Sequence, residues 1–169
     1  HHLSLVSQNP VLFNGTIKEN ITYGLKKYSD EDVLNALHEA NCDDFIASMP
    51  KGVDTLLDEN GSNLSGGQKQ RLTIARALIR KPDLLFFDEA TSALDNIAEK
   101  KVQAAIESSL KGRTTFVIAH RISTIRNADK ILYIENGEIC ESGSYDELMS
   151  KRGKFYAMES ANEKAAENS

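Results

Sequence analysis

The sequence predicts an α/β domain built on a largely parallel sheet. Short apolar runs at residues 84–87 and 114–119 are bounded by turn residues, the pattern of strands covered on both faces. Helices with clear start signals and a 3.6-residue apolar repeat lie around them. Strand and helix alternate along the chain, the order that places parallel strands side by side.

In chain order, Leu3-Ser4-Leu5-Val6-Ser7 reads as a short strand that Gln8-Asn9-Pro10 ends. Phe13-Asn14-Gly15-Thr16 is a turn. Thr16 then caps a short helix, with Glu19 completing a capping box. Ser29 opens a helix with Asp30, Glu31 and Asp32 in its first turn and Val33, Leu34, Leu37 and Ala40 facing inward. Residues 43–49 form a further short helix with Phe45, Ile46 and Met49 inward, and 51–63 read as loop. Ser65 and Gln68 form a second capping box for a helix with the stripe Leu72, Ala75, Leu78 and Ile79, closed by Pro82.

The apolar strand Leu84 to Phe87 follows. Asp95 caps a helix to Leu110 with Ile97, Val102, Ile106 and Leu110 inward and Gly112 as the stop. After the strand at 114–119, residues 122–127 form a short helix. Ile131–Ile134 and Glu138–Cys140 flank the hairpin turn Asn136-Gly137. Ser144 and Glu147 make a third capping box, and a last helix starts near Phe155. The expected division is a helical subdomain at about 16–80, α/β core parts at 1–15 and 81–158, and a polar tail at 159–169.

The totals narrow the function classes. A length of 169 residues suffices for one domain or most of one, and a net charge of −5 argues against a general nucleic-acid binder. No apolar run approaches the ~18 residues needed to cross a bilayer. Cys42 and Cys140 lack metal-ligand spacing and read as unpaired thiols. The chain opens at His1-His2-Leu3 without Met, which reads as a cut inside a domain.

In open parallel sheets, ligands bind at the carboxyl ends of strands. Gln8, Asp88-Glu89 and His120 all fall at such ends and are expected on one edge. A strand-end carboxylate can hold Mg²⁺, usually through water, and a second can activate water; an acidic pair there also serves as a plain helix cap. Ser65-Gly66-Gly67 at a helix start offers backbone N–H groups to an anion, or is an ordinary capped helix after a loop. A lone strand-end histidine is most often structural, and Gln8 by itself is uninformative.

Taken together, these stretches resemble the nucleotide-binding domain of ABC (ATP-binding cassette) transporters. Leu64-Ser65-Gly66-Gly67-Gln68 matches the family's signature motif and Leu84–Glu89 its Walker B. Ser92-Ala93-Leu94-Asp95 matches its D-loop, His120 its switch histidine and Gln8 its Q-loop glutamine. The segment from Gln8 to Ile21 is similar to multidrug-resistance (P-glycoprotein-like) exporters. So is Glu59-Asn60-Gly61, although Asp58 stands where that group usually has Gly. The sequence contains no Gly-x-x-x-x-Gly-Lys-Ser/Thr, so the expectation is a P-loop NTPase-like partial domain, truncated before the Q-loop and lacking Walker A.

The resemblance implies ATP and Mg²⁺ as cofactors. Glu89 would be the general base, with His120 holding the γ-phosphate. Ser65, Gly66 and Gly67 would contact the γ-phosphate of ATP held by a second nucleotide domain, head to tail, and Gln68 would belong to the same nucleotide-binding motif. Asp88 and Gln8 would serve the metal, Asp95 the interface, and Gln8 also the link to a transmembrane domain. The implied place is the cytoplasmic face of a membrane, with no nucleic-acid partner. ATP hydrolysis is expected of the full-length protein rather than of this chain alone. A soluble, non-transporting ABC-type ATPase and a non-enzymatic signature module are the alternative readings.

Overall fold

The computed structural model describes residues 3–90, 94–118 and 125–167. The chain folds into two compact units, residues 1–118 and 119–169, each with its own apolar core.

The first unit starts with β1 (Leu3–Val6) and the two-residue strand β2 (Gly15–Thr16), which leads directly into α1 (Ile17–Thr22). Next come α2 (Asp30–Glu39), α3 (Asp43–Ala47), β3 (Leu56–Leu57) and α4 (Gly66–Leu78). Then β4 (Leu84–Asp88), α5 (Asn96–Ser109) and β5 (Thr114–Ile118) complete it. The main sheet runs β1-β4-β5, all parallel, with Val6 beside Phe87 and Phe87 beside Val117.

The helix starts form as their sequences dictate. The Thr16/Glu19 and Ser65/Gln68 capping boxes are both made, and Ser29 makes one with Asp32. α4 stops where Lys81 takes a left-handed backbone (φ 49°) and donates its N–H to the Leu78 carbonyl at 2.8 Å, just before Pro82.

α4 is the hub of the unit. It buries Leu72, Ile74, Ala75, Ala77 and Leu78 against α1, α2, α5 and β1. α2 contributes Val33, Ala36 and Leu37, but Leu34 is exposed. Leu34 lies one helical step, about 100°, round from Val33 and off the stripe that Ala36 completes. α5 buries Val102, Ala105 and Ile106. Ile97, expected inward, is 74% exposed on the opposite side of that helix, and Leu110 caps its carboxyl end, also exposed.

Two further expectations are corrected. Residues 51–63 are not plain loop, because β3 pairs antiparallel with β2, Thr16 opposite Leu56. Two short 3₁₀ turns flank it at Gly52–Asp54 and Glu59–Gly61. A two-residue strand shows no periodicity, so only its partner reveals it. Among the described residues the sheet is also covered on one face only. Val6, Leu85 and Phe87 are buried, whereas Leu5 and Phe116 are 64% and 46% exposed on the other face. There Phe86 and Phe116 stack at 4.9 Å between ring centres. The apolar run at 114–118 is therefore half exposed, an edge strand with β4 as its single partner among the described residues.

In the second unit, β6 (Ile131–Glu135) and β7 (Glu138–Gly143) form the expected hairpin. Asn136 and Gly137 both have positive φ, 52° and 81°, as the tight primed turn requires. α6 (Tyr145–Lys151) carries the Ser144/Glu147 box. α7 (Lys154–Glu167) is started by the Glu141 carboxylate, which accepts the N–H of Lys154 at 2.7 Å and of Phe155 at 3.1 Å. Ile131, Leu148 and Phe155 form the core. Of the helix expected at 122–127, residues 122–124 lie outside the described residues, and Ile125 is helical with Arg126 and Asn127 in a turn.

The one-sided sheet makes a measurable difference between two phenylalanines. Phe87→Ala is expected to cost about 3–5 kcal/mol and Phe116→Ala about 1–2 kcal/mol in urea unfolding, because only the first empties a closed core.

Candidate functional site

Because β1, β4 and β5 are parallel, their carboxyl ends share one edge. Asp88, half-buried, is the last residue of the central strand. Glu89 follows in a left-handed backbone conformation (φ 45°), unusual for this residue type. Its N–H donates to the carbonyl of Ile118, the last residue of β5, at 3.0 Å. That bond holds in place a turn that costs about 1–2 kcal/mol for a residue with a side chain. Gln8, exposed, lies two residues beyond β1 at the same edge. His120, Ser92 and Ala93 lie outside the described residues.

A second group forms where two helices begin. The Ser65 hydroxyl accepts the Gln68 N–H at 3.3 Å, and the Gln68 side-chain carbonyl accepts the Ser65 N–H at 2.9 Å. Gln68 therefore closes its own helix start. The N–H groups of Gly66 and Gly67 stand in the first turn, where no intrahelical acceptor exists, and that turn carries no acidic residue. The start of α5 lies alongside. A Cβ added to Gly67 would meet the Ala98 methyl at 2.8 Å, and one on Gly66 would lie 3.3 Å from Leu94. Asp95 caps α5, one carboxylate oxygen accepting the N–H of Ile97 and of Ala98, both at 2.9 Å.

α4 also carries buried polar side chains that the apolar stripe did not announce. Gln70 and Arg71 are almost fully buried. Arg71 donates to the Asn41 carbonyl and, at 2.8 Å, to Asp44, with its guanidinium 4.8 Å above the Phe45 ring centre. Arg76 donates to the Asn20 carbonyl at 2.8 Å and to the Asn20 side chain at 3.1 Å, and burial lowers its pKa. The available signal was three long polar residues set among the apolar positions of a helix that has neighbours on several sides.

The donor set at the start of α4 is of a kind that can meet an anion. The first turn of α4 carries no acidic residue of its own, so the N–H of exposed Gly66 suits an anion, whereas Gly67 is buried against Ala98. Among the described residues no cluster of three His, Cys, Asp or Glu side chains could hold a metal alone. Asp88 and Gln8 each carry an oxygen that could be offered to Mg²⁺, directly or through water. Asp58, where a glycine was expected, has φ −71°, a conformation any residue adopts.

Against this geometry, the family model described as ABC transporter matches residues 1–92 of the 169. The chain belongs to the ABC transporter family. It is 52% identical over 157 residues to ATP-binding cassette sub-family B member 5 of Homo sapiens, covering 93% of this chain and 12% of that protein. It is 52% identical over 161 residues to Multidrug resistance protein 1 of Entamoeba histolytica, covering 94% and 12%. To the ATP-dependent lipid A-core flippase of Syntrophus aciditrophicus it is 48% identical over 156 residues, covering 92% and 26%. It superposes on a bacterial Atm1-family ABC exporter with ATP bound at a TM-score of 0.84 and 43% identity, covering 95% of this chain and 28% of that one. The chain thus spans between 12% and 26% of the length of these curated relatives.

The helix contact is testable. Gly67→Ala is expected to lower stability by about 1–3 kcal/mol in urea unfolding, because the added methyl must push α4 from α5. The Asp44 anchor predicts a pH effect. Burial pushes this carboxyl up, but hydrogen bonds from Lys101 and Arg71 outweigh it and hold it at about 2 against an ordinary 3.8. A lowered folded pKa stabilises above the unfolded value and is lost as the folded one is crossed. Asp44→Asn is therefore expected to be less stable than the parent at neutral pH, the gap closing as pH falls from about 4 to about 2 in denaturant titrations.

Proposed function

We propose that this chain is part of the ATP-hydrolysing domain of a membrane exporter, on the cytoplasmic face, driving a substrate through a transmembrane partner. The supporting observation is the strand edge where β4 ends in Asp88-Glu89 between the ends of β1 and β5. Similarity to proteins named multidrug transporter and flippase favours an exporter over a soluble ATPase.

The roles are those that the family resemblance implies, and the chemistry of each group is compatible with its own. Ser65, Gly66 and Gly67 present hydroxyl and N–H donors to the terminal phosphate of ATP held by a second nucleotide domain, paired head to tail. Gln68 keeps that helix start closed. Asp88, through water, and Gln8 hold Mg²⁺. When bound, the ion neutralises charge on the phosphates. Glu89 takes the proton from the attacking water, and its tie to Ile118 fixes where that carboxylate starts. His120 donates to the γ-phosphate and orients Glu89. Asp95, at the head of α5 beside the signature glycines, carries contact across the paired interface. In the same reading, residues 16–80 act as the helical subdomain, 1–15 and 81–158 as the α/β core, and 159–169 as a tail.

Glu89→Gln in the full-length protein is expected to lower ATP turnover by about 10²-fold or more while ATP binding persists. Steady-state kinetics with a nucleotide-binding assay checks this, and unchanged turnover would remove Glu89 from its role.

A further inference from the structure

Gln8 stands in an exposed loop, yet one helix grips the backbone on both sides of it. On the near side, buried Gln70 donates its amide N–H to the Ser7 carbonyl at 3.1 Å. On the far side, Arg76 donates to the Val11 carbonyl at 2.8 Å. Arg76 cannot swing away easily, because its other nitrogens are bonded to Asn20. Asn20 is fully buried and also holds the backbone of Phe13, accepting its N–H at 3.0 Å and donating to its carbonyl at 2.9 Å. The Arg76 guanidinium covers the Phe13 ring, 5.7 Å from its centre. Gln70 and Arg76 both project from α4, the helix that begins at the signature glycines.

We propose that Gln70 and Arg76 are positioning residues for Gln8. By clamping the carbonyls of Ser7 and Val11 to α4, they make the place of the glutamine and the place of the signature helix a single coordinate. Neither side chain needs to touch nucleotide; both act through the backbone that carries Gln8. The inference rests on the metal and phosphate role proposed for Gln8. It goes beyond that role by naming what sets the reach of the side chain. A clamp of two directed hydrogen bonds also explains why these long polar side chains are kept in an otherwise apolar helix contact, where an unmet donor is costly.

The test uses the full-length protein with Gln70→Leu, which removes the donor at similar volume, and Arg76→Lys, which keeps the charge but not the planar fork. Hydrogen exchange without nucleotide is the first measurement. A peptide covering residues 7–13 is expected to exchange about 10-fold faster in either variant, with α4 itself unchanged. The second is the Mg²⁺ concentration for half-maximal ATP turnover. It is expected to rise about 5-fold in Gln70→Leu and to rise no further when Gln70→Leu is added to Gln8→Ala. Unchanged exchange at 7–13, or the same rise on top of Gln8→Ala, overturns the proposal. A parent protein that fails to hydrolyse ATP would overturn the nucleotide reading instead, and the exchange measurement would still decide the clamp.

Discussion

The first unit depends on the burial of one helix, α4, which packs on α1, α2, α5 and β1. A helix with neighbours on so many sides cannot send its long polar side chains to water. Each buried amide or guanidinium left unpaired would cost on the order of 1–3 kcal/mol. The structure meets this by giving each a carbonyl or carboxylate on a different neighbour: Gln70 to Ser7, Arg71 to Asn41 and Asp44, Arg76 to Asn20 and Val11. Apolar contact brings the elements together, and these directed bonds fix their register. The same helix presents the Ser65-Gly66-Gly67 start, so the placement of that end is inherited from the packing of its body.

The strand edge works by a different constraint. Parallel pairing sets the ends of β1, β4 and β5 level, and the turn after β4 is made tight by placing Glu89 at positive φ. That conformation is uphill for glutamate and persists because its N–H is bonded to the end of β5. The backbone that carries this carboxylate is thus held by the sheet rather than by its own preferences. The opposite face of the sheet, with Leu3, Leu5, Phe116 and Ile118 exposed, adds apolar area without the burial that would stabilise it.

Much of this architecture is local and so was legible in the residues. Capping boxes at Thr16, Ser65 and Ser144, the Asp95 cap, the Asn136-Gly137 turn and the apolar strand ending in Asp88-Glu89 each need only a few neighbouring residues to declare themselves. The motifs that carry the family likeness are local in the same sense. Periodicity misled at Leu34 and Ile97, because an apolar residue near a helix end or beside a stripe resembles a core residue until the neighbour is in place.

What the sequence determined by itself was therefore the class of fold, the family and the residues offered for chemistry, since these are written in short stretches of backbone preference and motif. Only the tertiary structure decided which sheet face is closed, that β2 pairs with β3, and that Gly67 is required by the approach of Ala98. It alone revealed Gln70 and Arg76 bracketing Gln8, because those bonds join residues more than sixty positions apart. A donor in a helix does not name its acceptor; packing does.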